Sequence, residues 1–199
     1  MPEKIINQFF REIDREWEDL KAEKIRLNII GSSAILLQSP YNRGTKDSDI
    51  LETSQITPEI EKKLIEIGGK GSKLQRVFHL YLDFVNPSLP FLPQKPRFHC
   101  VPFLKRLRHF EIFVLDVTDV VVSKLKRFNA NDVDDIQGVI AGGWIAHKNL
   151  VNRFNEAVDS FSMDARAEDL SRYVKNLNVV ERDFLSVPES EIELPSWIR

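Results

Sequence analysis

Two aspartates, Asp47 and Asp49, stand one residue apart at the start of a short apolar stretch. Side chains two residues apart in a β-strand point to the same face, about 6.5 to 7 Å apart along the chain. The two carboxylates can therefore meet at one point if the strand begins by Asp47. Hard divalent cations such as Mg²⁺ prefer oxygen ligands, and one or two carboxylates usually hold them together with substrate phosphates. The pair predicts a magnesium site, with a solvated strand edge as the alternative.

A Gly31-Ser32 pair ends the preceding apolar stretch, "RLNII" (26 to 30). Glycine lets the backbone approach a ligand closely, and a helix that begins at Ser32 aims free N–H groups at an anion. An ordinary strand-to-helix turn is the alternative for this pair. Metal-binding carboxylates on one strand and an anion-binding helix start after the previous strand together predict a site for a nucleoside triphosphate.

The elements that position these residues follow from periodicity and from the residues that break it. Apolar residues at three- and four-residue steps predict an amphipathic helix near the N-terminus. Runs rich in branched and aromatic residues predict strands over 26–30, 48–52, 76–85, 97–101 and 110–117. A short helix with a serine cap is predicted over 32–38. A further helix is predicted from Pro58 to Gly68, with Thr57 as its cap.

The order of these elements predicts the fold class. Four prolines between Pro87 and Pro96 mark a loop, and from Asp119 onward the periodicity is helical. We therefore expect an α/β (α+β) domain over 1–117, with a mixed β-sheet flanked by helices, and a helical domain over 118–199.

Composition excludes several functional classes. Lys and Arg total 28 against 30 Asp and Glu, and this formal net charge of -2 does not support a general attraction to nucleic acid. The single cysteine, Cys100, has no partner for an internal disulfide and suits a reducing compartment. No apolar run of about 18 residues is present, so we expect a soluble, cytoplasmic protein with no membrane partner. P-loop, dinucleotide-binding and nucleophile-elbow motifs are absent from the sequence.

A longer motif links the glycine turn to the aspartates, in the order G-G/S-x-A-L…R-x-T-x-D-x-D. Its residues in this chain are Gly31, Ser32, Ala34, Arg43, Thr45, Asp47 and Asp49. This order resembles the polymerase-β-like nucleotidyltransferase superfamily, most closely its small prokaryotic branch that includes AbiEii-type toxins. The segment "VVSKLKRFNANDVDDI" (121 to 136) looks like a second motif of that branch, and Lys124, Asp132 and Asp135 take the places of its lysine and two aspartates.

The resemblance implies a nucleotidyltransferase-like sheet and a role for each matched residue. Asp47 and Asp49 would coordinate Mg²⁺, and the Gly31-Ser32 turn would hold the phosphates of a nucleoside triphosphate, with ATP expected. The remaining residues implied to bind the nucleotide are Arg43, Thr45 and Lys124.

The superfamily also uses a third acidic residue on a neighbouring strand, which completes the metal site and helps to activate the acceptor hydroxyl. Asp83, in "LYLDFVN", is the candidate for this role, and Asp116 is the reserve. A polar residue at a strand end is the alternative interpretation of Asp83.

Three other features have competing interpretations. Lys124 suits a salt bridge or a snorkelling lysine as well as a triphosphate contact. Asp132 and Asp135 suit the start of a helix, where acidic side chains favour the macrodipole. The basic segment "FLKRLRH" (103 to 109) is either a solvated hairpin loop or a contact for RNA phosphates.

The function expected from the resemblance is Mg²⁺-dependent transfer of a nucleotidyl group to a hydroxyl acceptor. RNA or protein is favoured over a small molecule as acceptor, and a toxin–antitoxin role is expected by analogy. The alternative is a catalytically inactive module that binds a partner such as an antitoxin. It draws support from Asn131, which stands where related sequences carry a positive charge, and from the aromatic tail ending in Trp197.

Overall fold

The computed structural model describes residues 4–18, 23–162 and 165–196. They form two compact units. The first unit holds the described residues up to Leu89 together with Phe98–Leu115. The second unit holds Pro90–Arg97 and the described residues from Asp116 onward. Trp197, which supported the binding-module alternative, lies outside the described residues.

The first unit is built on a five-stranded mixed sheet. Its strands are β1 (Ile25–Ile29), β2 (Asp47–Leu51), β3 (Tyr81–Val85), β4 (Phe98–Cys100) and β5 (Phe110–Leu115). Their spatial order is β3-β2-β1-β5-β4. Strand β1 runs antiparallel to β2 and parallel to β5, β2 runs parallel to β3, and β4 and β5 are antiparallel. The predicted mixed α/β fold is confirmed.

Four helices belong to the first unit. They are α1 (Ile5–Glu16), α2 (Gly31–Gln38), α3 (Pro58–Gly68) and α4 (Lys73–Phe78). The apolar face of α1 is buried, and its Phe9 packs edge-to-face on Phe10 and on Phe78, with ring centroids 5.8 and 5.9 Å apart. Helix α3 begins as predicted, because the Thr57 side chain accepts a hydrogen bond from a backbone N–H of its first turn.

The strand predicted over 76–85 is wrong in its first half. Residues Lys73–Phe78 form α4, and the strand begins only at Tyr81. Ser72 caps the helix through its side chain, and His79 ends it in a left-handed conformation with φ of 55°. The aromatic and branched residues after Arg76 favour a strand, but α4 itself is mostly Lys, Leu, Gln and Arg, which favour a helix. Phe78, at the end of α4, packs on Phe9 of α1.

The second unit is helical. After α5 (Val117–Lys124) come α6 (Ala130–Ala141), α7 (His147–Phe161) and α8 (Leu170–Val179), which leads into a wide helical turn at Val180–Phe184. Across the described part of the chain, no helix is long and apolar enough to cross a bilayer.

The segment 90–97, which the sequence analysis assigned to the first domain, has its contacts in the second unit. Phe91 is fully buried, and its ring centroid lies 5.4 Å from that of Phe154, 5.1 Å from that of Phe161 and 5.0 Å from that of Tyr173. These partners are far away in sequence, so no local pattern could place the segment.

A buried ion pair fastens the other end of this segment. Arg153 Nε lies 2.6 Å from Asp119 Oδ1, and both side chains are almost fully buried. Asp119 also accepts the backbone N–H of Arg97 at 2.8 Å, and Arg153 donates to the carbonyl oxygen of Lys95 at 3.1 Å. Each buried charge is therefore paired and hydrogen-bonded, as burial requires.

Helix α6 begins with a capping box that allows a test of its stability. Asn129 Oδ1 accepts the N–H of Asp132 at 3.0 Å, and the Asp132 carboxylate accepts the N–H of Asn129 at 3.4 Å. We expect Asn129→Ala to lower the free energy of unfolding by about 1 kcal/mol, measured by urea denaturation. The control is Asn152→Ala, at an exposed position inside α7. Equal losses in the two variants would contradict the capping role.

Candidate active site

Asp47 and Asp49 lie on β2, which begins at Asp47 itself. The strand alternates between two environments: Ser48 and Ile50 are fully buried, whereas the two aspartates are half-buried. Because successive side chains of a strand point to opposite faces, both carboxylates lie on the less covered face of the sheet.

Strand β3 adds two polar side chains to the same face. Its register pairs Tyr81 with Asp47, and Asp83 with Asp49. Paired residues on neighbouring strands project to the same side of a sheet. Three carboxylates and one phenol therefore share this face. Asp83 is the most exposed of them, and its Oδ1 accepts a hydrogen bond from the N–H of the following residue, Phe84, at 3.0 Å.

The turn after β1 meets these carboxylates at Gly31. Gly31 has φ of +65°, a conformation that glycine adopts at no steric cost. A Cβ atom at this position would lie 2.8 Å from Asp49 Oδ2. A side chain at this position would therefore collide with the carboxylate, so the close approach of Asp49 to the turn requires glycine.

Helix α2 starts at Gly31, one residue earlier than predicted, and the expected serine cap is wrong. The capping residue is Ile30, whose side chain cannot accept a hydrogen bond, so no side chain caps the first turn. The first N–H groups of a helix have no partner within the helix and carry a partial positive charge. An anion next to Asp49 would face these groups.

Side chains of α2 and of the loop that joins α2 to β2 hold Asp47 in place. Thr45 Oγ1 donates to Asp47 Oδ1 at 3.0 Å, and Ser33 Oγ donates to the carbonyl oxygen of Asp47 at 2.8 Å. Arg43 Nη2 donates to Ser32 Oγ at 3.1 Å. Four residues of the long motif, Ser32, Arg43, Thr45 and Asp47, thus take part in hydrogen bonds around the start of β2 and the start of α2.

The beginning of the same loop is tied to the first helix by Lys4. Its ammonium group donates to the carbonyl oxygens of Leu36 and Ser39 at 2.5 and 2.6 Å. These carbonyls are at the C-terminal end of α2, where a cation is favoured by the helix dipole. Burial lowers the pKa of Lys4 from its usual value.

Tyr81 is the residue of this face that sequence reasoning missed. Burial raises the pKa of the Tyr81 phenol, and the negative charges of Asp47, Asp83 and Asp49 raise it further. The raised pKa keeps the Tyr81 phenol protonated to a higher pH than an ordinary tyrosine. Tyr81 and Asp83 are two residues apart on β3, so they lie on the same face of that strand, as Asp47 and Asp49 do on β2. This spacing was the available signal for Tyr81.

Mg²⁺ fits the donors present on this face. They belong to three carboxylates and one phenol and are all oxygen atoms, which suits a hard cation. Among the residues that the structure describes, no three His, Cys, Asp or Glu side chains are close enough to hold a metal ion. Mg²⁺ is usually bound through one or two carboxylates plus substrate phosphates. Asp47 and Asp49 match that arrangement, with Asp49 beside the glycine turn where phosphates would lie.

A cavity of about 470 Å³ adjoins the loop that carries Arg43 and Thr45. Its size falls within the range of small-molecule sites, roughly 300 to 1,000 Å³. The residues lining it are Lys4, Ile5, Ile6, Leu36, Asn42, Arg43, Gly44, Thr45, Phe78, His79 and Leu80. The cavity therefore offers room for part of a substrate next to the hydrogen-bonded loop.

Comparison with known families bears on this arrangement directly. The family model described as nucleotidyltransferase of unknown function (DUF6036) matches residues 8–142, more than half of the 199-residue chain. The chain belongs to this nucleotidyltransferase family. No curated protein and no solved structure is similar enough to count as a match.

Two candidate site residues, Asp116 and Lys124, lie in the second unit. Asp116, the reserve for the third carboxylate, caps α5 and accepts the N–H of Thr118 at 2.9 Å. Lys124 is almost fully buried, and its Nζ lies 3.0 Å from Asp132 Oδ1 and 2.8 Å from Asp135 Oδ2. The ion-pair interpretation of Lys124 is confirmed, and its contact with a triphosphate stays a prediction.

The hydrogen bond from Thr45 to Asp47 leads to a prediction for metal binding in this nucleotidyltransferase. We expect Thr45→Val to weaken Mg²⁺-dependent binding of ATP about tenfold, because partners that orient a metal ligand typically contribute that much. Titration with Mg²⁺ at a fixed ATP concentration measures the effect. Thr53→Val is the matched control, since the Thr53 hydroxyl contacts only the nearby Gln55 N–H at 3.4 Å. An unchanged Thr45→Val variant would show that Asp47 needs no such partner.

Proposed function

We propose that this protein is a Mg²⁺-dependent nucleotidyltransferase that moves a nucleotidyl group from a nucleoside triphosphate, with ATP as the first candidate, to a hydroxyl acceptor. One observation carries the proposal: Asp49 Oδ2 lies against the Gly31 backbone at the start of α2, on the face that Asp47 and Asp83 share. The carboxylate that would bind the metal is thus next to the helix start that would bind the phosphates.

The chain's own residues account for binding and orientation. The N–H groups at Gly31 and Ser32 would hold the phosphates, while Arg43 would place a positive charge beside Ser32. Bound by Asp47 and Asp49, Mg²⁺ would neutralise charge on the triphosphate.

Within that arrangement the reaction is an in-line displacement. The acceptor oxygen attacks the α-phosphorus, the bond to the β-phosphate oxygen breaks, and pyrophosphate leaves with the electron pair. Asp83, which is exposed at the edge of the face, would take the proton of the acceptor hydroxyl. Catalysis then consists of positioning and charge stabilisation.

The acceptor proposed is RNA or a protein, in preference to a small molecule. Resemblance to AbiEii-type toxins supports this choice and a role in a toxin–antitoxin system in the cytoplasm. That support is analogy between families, because function belongs to the site and not to the fold.

A second candidate is a module that keeps the fold and acts by binding a partner, such as an antitoxin. It is favoured by the side chain of Asp83, whose carboxylate accepts the N–H of its own neighbour Phe84, and by Asn131 at the position of a positive charge. In this case the face would bind nucleotide weakly or not at all.

Binding of labelled ATP with and without Mg²⁺ separates the two candidates. The enzyme is expected to bind ATP only with Mg²⁺, and the module is expected to show no metal-dependent binding. Incubation of the protein with labelled nucleotides and total cellular RNA, or total protein, then tests transfer. Label on a macromolecule excludes the module, and Mg²⁺-dependent binding without any transfer contradicts the proposed acceptors.

A further inference from the structure

The loop between β4 and β5 exposes an aromatic ring among positive charges. Phe103 is 70% exposed, the highest value among the exposed large apolar residues of the described chain. Lys105, Arg106 and Arg108 are exposed beside it, and residues 101–110 contain no acidic side chain. We call Phe103 and these three cations the basic-aromatic loop.

The loop is held in a fixed shape from beneath. Leu104 and Leu107 are almost fully buried, so the exposed residues alternate with apolar anchors. A short 3-10 turn at Pro102–Leu104 further shapes the backbone.

Two side chains of α1, those of Asp14 and Arg11, form hydrogen bonds with the backbone of the same loop. The buried carboxylate of Asp14 accepts the backbone N–H groups of Arg108 and His109, both at 2.8 Å. Arg11 donates to the carbonyl oxygen of Phe103 at 3.0 Å. Asp14 lies on the otherwise apolar side of α1, where an acidic residue is costly unless it is paired. The Asp14 carboxylate is paired with these two backbone groups, so it fixes the loop's conformation.

We propose that the basic-aromatic loop binds a single-stranded nucleic acid, with one base stacked on Phe103 and the phosphates next to Lys105, Arg106 and Arg108. Proteins that bind single strands combine exposed aromatic rings with cations in this way, because every base has a face that stacks. An acidic peptide would pair with the three cations but would gain little from the exposed ring of Phe103.

The position of the loop defines its role relative to the carboxylate face. Strand β5 runs parallel to β1, and its first residue, Phe110, pairs with Ile25 at the start of β1. The loop therefore lies at the opposite end of β1 from Gly31, roughly 20 Å away along the strands. A single-stranded nucleic acid bound to this loop is held away from the reacting groups, and its binding does not depend on the transfer reaction.

The test is fluorescence anisotropy with labelled, unstructured RNA and DNA oligonucleotides of about twelve nucleotides, within the usual site size. It is carried out without Mg²⁺ or nucleotide, so that failure of the proposed transferase does not affect it. We expect the unmodified protein to bind at least one of the two oligonucleotides, and the stronger of the two identifies the natural class.

Two sets of variants separate stacking from charge. Phe103→Ala and Phe103→Leu are both expected to weaken binding about tenfold, since leucine is apolar but cannot stack. Replacing Lys105, Arg106 and Arg108 together by Gln should reduce the slope of log affinity against log salt by roughly 2, at about 0.7 per phosphate contact.

Matched controls come from α4 and the turn before it, where Lys70, Lys73 and Arg76 are also exposed and Val77 is 61% exposed. Replacing these three cations by Gln, or Val77 by Ala, should leave binding unchanged. The proposal is overturned if the unmodified protein binds neither oligonucleotide, or if the control cations matter as much as those of the loop. It is also overturned if Phe103→Leu binds normally while a poly-glutamate peptide competes fully.

Discussion

Replacing Asp47 and Asp49 together by asparagine is expected to reduce nucleotidyl transfer by about 1000-fold and to remove Mg²⁺-dependent ATP binding. Asparagine keeps the size of the side chain but removes the negative charge that holds a hard cation. Metal-based charge stabilisation is worth several kcal/mol, and each 1.4 kcal/mol corresponds to a factor of about ten in rate. Both aspartates are half-buried at a strand start, so the fold should survive the change.

Two measurements check this result. Isothermal titration with ATP, with and without Mg²⁺, reports binding, and the thermal unfolding midpoint reports the fold. Glu66→Gln, an exposed acidic residue on α3, is the control and should behave like the unmodified protein. If the double variant binds ATP normally in Mg²⁺, the carboxylate face is not the metal site. Asp83→Asn should retain binding and lose transfer if that residue accepts the proton.

Gly31→Ala is expected to lower the transfer rate by about 100-fold while leaving the protein folded. The added methyl group would lie 2.8 Å from Asp49 Oδ2, so the carboxylate must move. A displacement of about 1 Å at a catalytic group can cost a factor of about 100 in rate. The left-handed backbone at φ of +65° adds roughly 1 kcal/mol of strain for a residue with a side chain.

Gly71→Ala provides the matched control for this variant. Gly71 also has a left-handed backbone, with φ of +89°, and a Cβ there would have no neighbour within 4 Å. It should therefore retain transfer and binding. The thermal midpoint of Gly31→Ala should fall by a few degrees, since 1 kcal/mol corresponds to roughly 2 to 4 °C for a chain of this size. Normal transfer by Gly31→Ala would mean that Asp49 and the glycine turn do not act together.

Sequence alone could predict the parts of the site that depend on local spacing. The two-residue spacing of Asp47 and Asp49 fixes their common face, and the Gly31 turn follows from a strand that ends in glycine. The pairing of Asp49 with Asp83 depends on the register between β2 and β3, which no local pattern specifies. Tyr81 entered the site through that same register.

The other departures have local and tertiary causes. Helix α4 consists mostly of helix-forming residues behind a Ser72 cap, a local signal that the strand prediction over 76–85 left out. Segment 90–97 joins the second unit through Asp119 and Arg153, residues that lie well beyond it in the chain. Burial of a lysine such as Lys124 is predicted only once its two aspartate partners are known.

The placement of segment 90–97 has a consequence for synthesis on the ribosome. Phe91 leaves the exit tunnel before β4 and β5, yet the rings that bury it belong to α7 and α8, which are made after those strands. When β4 and β5 are made, the aromatic partners of Phe91 have not yet been synthesised. A polypeptide released early, after β5, would present Phe91 uncovered, and we expect such a fragment to be cleared by chaperones or proteases.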